Sequence, residues 1–227
     1  MKSLLLAALF FVSVSLLAAQ NSSDEQAPMP VEQEPHHAVV LKNDSVIVMH
    51  VLIPEGARTL YHIHAHDRAA VDLTSSNITQ QSLHEPEGPS ALAEPGDIAA
   101  PTLGAAPTIH RIHNLGPGTF EVLDVEFLHR PENPSADAAA PVATENPSAR
   151  VYKWVLAPGV ASPMHTHTHP YLIVAATGMP LKMTAPDGQS FSHEVKPGDF
   201  HWIESKVTHS LTNEGATEGQ IVEIELK

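Results

Sequence analysis

The chain carries the same ordered series of residues twice. Gly56, His62, His64, His66 and Thr74 recur at one constant offset as Gly159, His165, His167, His169 and Thr177. Pro95-Gly96-Asp97 returns as Pro197-Gly198-Asp199, and His110, Asn114 and Gly116 return as His209, Asn213 and Gly215. The run Glu121-Val122-Leu123-Asp124-Val125-Glu126-Phe127 is answered by Gln220-Ile221-Val222-Glu223-Ile224-Glu225-Leu226. Ordered matches over nearly the whole of two segments indicate an internal duplication, so two like domains are expected rather than one large one.

Each copy is built from short apolar runs such as Val46-Ile47-Val48, Leu172-Ile173-Val174 and Ile221-Val222-Glu223-Ile224, separated by Pro-Gly, Asp-Gly and Asn-x-Gly punctuation. That is strand-and-turn chemistry, and no later stretch sustains a capped helical period. The pattern predicts an all-β sandwich or barrel for each half.

Ahead of the duplication, Lys2 is followed by an apolar run from Leu4 to Val12 that continues through Leu16 and Leu17 to small residues. This predicts a signal peptide over residues 1–19 and a secreted or periplasmic mature protein beginning near Gln20. A retained membrane anchor needs about 20 apolar residues; this run is shorter, broken by Ser13 and Ser15, and followed by Asp24 and Glu25. Residues 20–35 are polar and Pro-containing and read as a disordered leader. Residues 36–129 form the first domain, 130–147 a Pro/Ala linker and 148–227 the second domain.

Composition narrows the function classes. There is no cysteine, so an exported chain must rely on packed cores and bound metal rather than disulfides, and thiolate chemistry is excluded. A formal charge of −14 repels nucleic acid and anionic membrane surfaces, and is read as keeping an exported protein soluble. Expected partners are a small-molecule ligand or substrate, no nucleic acid, no membrane after signal cleavage, and further copies of the chain.

The sixteen histidines cluster, and the clusters repeat. Alternation along a strand puts His165 and His167 on one face as a chelating pair, with His209 supplied from a neighbouring strand. The same reasoning joins His62 and His64 to His110. An isolated His-x-His is commonly surface decoration; two copies, each followed by a later histidine in a matching Pro-Gly-Asp context, point to metal.

These residues resemble the cupin family. Its first motif runs Gly, five residues, His-x-His, three or four residues, Glu, six residues, Gly; Gly159 through His165 and His167 to Gly178 fit it except at the Glu. Its second motif, Gly-x5-Pro-x-Gly-x2-His-x3-Asn, is similar to Gly198 through His209 to Asn213, with Glu204 and Lys206 replacing its Pro and second Gly. Gly56 to His64 and His110 to Asn114 fit likewise, with three extra residues between Gly96 and His110. The resemblance covers both halves and implies two tandem cupin (jelly-roll) β-barrels, a bicupin, with His62, His64, His110, His165, His167 and His209 as metal ligands.

The family's Glu is missing from its place in both motifs, where Arg68 and Tyr171 stand. Tyr171 reads as core or pocket wall, with a weak phenolate ligand as the alternative. Arg68 either points away, grips an anion, or marks a first site without metal. Asp67, one residue early, supplies an oxygen only after a register change. By family analogy His66 and His169 sit in the turn, solvent-facing or behind the ligands, with a fourth metal nitrogen as the minority alternative. His50, His84, His113, His129, His193 and His201 carry no partner pattern.

Three imidazoles around Zn, Mn, Fe, Ni or Cu can lower the pKa of bound water, polarise a carbonyl or activate oxygen. The expectation is a metal-dependent enzyme acting on a small oxygen-bearing molecule. The alternatives are a non-catalytic metal- or ligand-binding module and a structural or storage protein without metal. No residue is assigned as catalytic acid or base.

Overall fold

The computed structural model of the chain describes residues 26–204 and 206–227. The expected signal peptide and the first part of the leader lie outside the described residues. The first half contains β1 (Met29–Pro30), β2 (His37–Lys42), β3 (Val46–Ile53), β4 (His62–His64), β5 (Asp67–Asp72), β6 (Ser76–Ser82), β7 (Ala91–Ala93), β8 (Ile98–Ala99), β9 (Thr108–Gly116) and β10 (Phe120–Phe127). The second contains β11 (Thr144–Glu145), β12 (Ala149–Leu156), β13 (His165–His167), β14 (Tyr171–Ala175), β15 (Met179–Thr184), β16 (Ser190–Val195), β17 (Phe200–Ile203), β18 (Val207–Asn213) and β19 (Gly219–Leu226). Among the described residues the one helical element is a 3-10 turn, Val31–Gln33.

Strand order repeats with the sequence. In the first half β4-β9-β6-β7 faces β3-β10-β5-β8; in the second β13-β18-β15-β16 faces β12-β19-β14-β17. The chain is all-β, with two tandem jelly-roll barrels. Each half adds short strands to this common frame: β1 and β2 in the first, β11 in the second.

One sheet of each barrel is buried on both faces. Along β19, Val222 and Ile224 point out of the barrel while Ile221, Glu223 and Glu225 point in; along β14, Leu172 and Val174 point out while Tyr171 and Ile173 point in. Val46, Val48, Ala69, Val71, Leu123, Val125 and Phe127 take the outward positions in the first barrel. These outward faces join Ala149, Val151, Leu172, Val174, Val222 and Ile224 in one buried cluster that spans both barrels. Both faces of these strands are thus removed from water, which explains their continuous apolar runs.

The Pro-Gly-Asp turns support this packing. Gly96 and Gly198 both adopt φ +83°, a region open to glycine, and each lies against the opposite barrel. A Cβ at Gly96 would collide with the Gln220 side chain, and one at Gly198 would lie 3.1 Å from Leu73.

The expected disordered leader does not extend to Pro35. Met29 and Pro30 pair in parallel with His62 and Ile63, and Val31 and Glu34 are buried. Backbone pairing and one buried apolar side chain outweigh the polar composition on which the leader reading rested. The linker region has little regular structure but is anchored: Arg130 reaches Asp67 at 2.6 Å, Ser148 Oγ donates to Asp67 at 2.7 Å, and Asn146 donates to the Arg68 carbonyl at 2.9 Å.

Candidate metal centre

β13 lies antiparallel to β18 with His165 directly opposite His209, and β4 lies on β9 with His62 opposite His110. His167 and His64, two residues along on the same face, complete each trio. All six are buried. In both barrels the first histidine is held by its Nδ1 at 2.9 Å from a backbone carbonyl, that of Leu60 or of Pro163.

In the second barrel the trio is joined by Glu223, which lies on β19 and is fully buried. The ligand atoms of His165, His167, His209 and Glu223 all lie within 4.8 Å of one another. Glu223 Oε1 is 3.0 Å from His209 Nε2 and 3.3 Å from His167 Nε2; Oε2 is 3.0 Å from His165 Nε2 and accepts from Trp154 Nε1 at 2.6 Å. Metal–nitrogen bonds of about 2.1 Å place adjacent ligand atoms about 3 Å apart, which these spacings match. Glu223 Oε1 and His167 Nε2 have no aligned hydrogen-bond partner despite their burial, and the imidazole nitrogens of His165 and His209 face each other at 3.0 Å. Lone pairs converging on one point suit a bound cation, so the residues fit a divalent ion.

This corrects the expectation that the second site lacks a carboxylate. The family position is indeed Tyr171, but the oxygen comes from another strand. The missed signal was the alternation Val222-Glu223-Ile224-Glu225, which places two carboxylates on the barrel's inner face.

Around this cluster, Glu225 Oε2 lies 3.3 Å from His167 Nδ1 and accepts from the Tyr152 hydroxyl at 2.8 Å, while its other oxygen accepts from the Thr168 amide at 2.8 Å. Burial alone would push the Glu223 carboxyl up; contact with His165, His167 and His209 more than reverses this and holds it well below the usual range. Burial opposes charge on His167, yet Glu223 and Glu225 prevail and raise it to about 9. Tyr171 is fully buried and stacked on His167 at 3.9 Å, so it walls the site; burial, with Glu223 and Glu225, pushes its phenol up and disfavours a phenolate.

The first barrel presents His62, His64 and His110 without a carboxylate among them. Asp124, the counterpart of Glu223, is one methylene shorter and is bound by Arg68 at 3.3 Å. Arg68 thus grips an anion of the protein itself. His64 Nδ1 bonds Glu126 at 2.8 Å, as does His66, and His64 Nε2 lies 3.0 Å from His110 Nε2. Burial, then the neighbouring His37 and His64, lowers His62 to about 3; burial, His62 and Arg68 lower His110 well below its ordinary value.

The chain from Met29 to His37 straps this site. Glu34 bonds His37 Nδ1 at 2.6 Å and accepts from the Leu60 amide at 3.0 Å, and the His37 ring packs 4.7 Å from His62. Neither Glu34 nor His37 was singled out in the sequence, because the strap has no counterpart in the second half. Asp67 faces Arg130 and Ser148 rather than the ligands, which disposes of the register-change alternative. His169 is half-buried and bonds Thr168, away from the cluster.

The cupin-domain family model matches residues 152–225. The β-alanine degradation protein BauB of Pseudomonas aeruginosa is 31% identical over 90 residues, which are 40% of this chain and 94% of that protein. This chain belongs to the cupin superfamily. Among solved structures, AerE from Microcystis aeruginosa matches with a TM-score of 0.58 at 15% identity, over 86% of this chain and 98% of its own. Salicylate 1,2-dioxygenase from Pseudoaminobacter salicylatoxidans, solved with gentisate, matches with a TM-score of 0.52 at 11% identity, over 80% of this chain and 68% of its own. At such identities these likenesses concern the fold.

Proposed function

We propose that the protein is an exported, metal-dependent cupin enzyme acting on a small oxygen-bearing molecule in its second barrel. The observation that carries this reading is the convergence of His165, His167, His209 and Glu223 at a buried point bordered by an open cavity. A divalent ion held there supplies Lewis acidity to a bound oxygen. Glu223 offsets part of the ion's charge, Glu225 lies 3.3 Å from His167 Nδ1, and Tyr171, stacked on His167, walls one side of the cluster. The export reading rests on Lys2 to Ala19.

The carboxylate also supports a second reading, a binding module. Four protein ligands saturate a tetrahedral ion, whereas an octahedral ion keeps two positions for substrate. Coordination number therefore separates the readings: six with exchangeable water supports the enzyme, and four with none supports binding alone.

Metal analysis of untagged protein, comparing His165→Ala, His167→Ala and His209→Ala with His62→Ala, His64→Ala and His110→Ala, tests the assignment. The second-barrel variants are expected to lose tightly held metal and the first-barrel variants to keep most of it. Loss only in the first-barrel set overturns the ranking. A wild-type protein that binds no divalent ion overturns the reading.

A further inference from the structure

The second barrel contains a cavity of about 640 Å³. It lies at the open side of the barrel, with residues of both edge strands, β16 and β17, in its wall. Ile173 and Ile221 line it, each two residues along the inner face from Tyr171 and Glu223, so the cavity begins where the ligand cluster ends. A smaller cavity of about 330 Å³ shares Met183, Phe191 and Val207 with the larger one and reaches His209. The two adjoin, and the smaller reaches the strand that carries His209.

The lining is hydrocarbon: Leu181, Met183, Phe191, Val195, Phe200 and Ile203 stand with the two isoleucines. Among the described residues no lysine or arginine lines either cavity. The titratable lining residues of the larger one are His193, His201 and Asp199, and Asp199 is engaged by the Lys196 amide at 2.8 Å. A ligand carboxylate would meet no lysine or arginine in the cavity wall, and a strongly polar body would leave water without replacement hydrogen bonds. Phe191, 62% exposed at the rim of both cavities, offers a ring face to an entering molecule. The first barrel is different inside: the position of Ile173 is Ala70, flanked on the same face of β5 by Arg68 and Asp72.

We propose that the second barrel selects a neutral ligand with an aromatic or branched hydrocarbon body. The ligand enters between β16 and β17 with its one oxygen-bearing end toward His209. Dicarboxylates and zwitterionic amino acids are selected against. The inference rests on the metal reading for the direction of the oxygen and on the cavity alone for the hydrocarbon body. The volume is in the range of small-molecule sites and well above the ~150 Å³ that takes up benzene.

The probes are 2-naphthol and 2-naphthoate, one ring system in neutral and anionic form at pH 7, titrated calorimetrically into the full-length protein before and after chelation. Metal content is measured on the same samples. Naphthol is expected to bind at least about tenfold tighter than naphthoate in the chelated protein, where the preference arises in the cavity wall alone. Phe191→Ala is expected to weaken naphthol about tenfold with metal content unchanged. Ala175→Phe, which fills the cavity, is expected to abolish binding, and its fold is checked by circular dichroism. Equal or tighter naphthoate binding by the chelated protein overturns the inference and leaves the metal reading intact. Naphthol preference in a protein that binds no metal supports the hydrocarbon site and overturns the metal reading. Absence of binding by either probe overturns the inference.

Discussion

Glu223 and Asp124 occupy equivalent positions, and one neighbour separates their roles. In the second barrel the neighbour is Tyr171, which brings no charge, and Glu223 turns to three imidazoles. In the first it is Arg68, which takes Asp124 for itself. Glu223→Gln keeps the volume but removes the charge, and is expected to weaken metal binding by about 10- to 100-fold, read by competition with a chromogenic chelator. Asp124→Asn is expected to leave total tight metal unchanged. The double variant Arg68→Tyr/Asp124→Glu is expected to strengthen metal binding by the first barrel by about tenfold or more, measured where His165→Ala and His167→Ala have silenced the second. The six histidines were legible because backbone alternation and repeated spacing place them without tertiary information. Glu223 was not, because its partners lie on two other strands, 14 to 58 residues earlier in the chain, and only the tertiary fold brings them to it.

At the scale of elements, the strap and the inner face of β5 respond to pH in opposite ways. Burial would raise Glu34, but bonds to His37, His36 and Leu60 lower it from 4.5 to about 2. The native state therefore binds this proton less readily than the unfolded chain. The strap's contribution is complete above about pH 4.5 and is lost as pH falls toward 2. Amide exchange at Ile63, beside β1, is expected to quicken over that window. Glu34→Gln is expected to bring the same loosening at pH 7 and to cost about 2 kcal/mol of stability, since it breaks a buried charge-assisted network. Asp72 behaves conversely: burial, then Asp97 and Asp124, raises it from 3.8 to about 7. The native state holds that proton more tightly, so stability declines as pH rises through this interval. Asp72→Asn is expected to raise the melting temperature by a few degrees at pH 8 and to change it little below pH 4. Strand existence and turn positions were legible in the sequence; the strap was not, since two paired residues and one buried valine leave no periodic signature.

For the whole molecule, the shared apolar cluster makes the barrels one cooperative body. Val222→Asp places a carboxylate in that cluster, where Val222 is fully buried among apolar side chains. It is expected to cost about 3 kcal/mol or more and to shift one melting transition that both barrels share, seen by calorimetry. Two separate transitions in the wild type would contradict a common core. The duplicated halves and the Pro/Ala linker suggest a fused dimer, but the contact residues could be named only once each strand's inward and outward sets were known.

Joining the two faces within one chain also changes their obligations. A homodimer about a two-fold axis must use one surface patch for both partners and falls apart on dilution. Here the contact is intramolecular, at an effective concentration that dilution does not alter. Self-complementarity is no longer required, so a change confined to one copy is felt once rather than twice. One barrel can then close over its histidines with a strap and an internal ion pair while the other keeps a carboxylate and an apolar entrance, on a single scaffold of fixed stoichiometry.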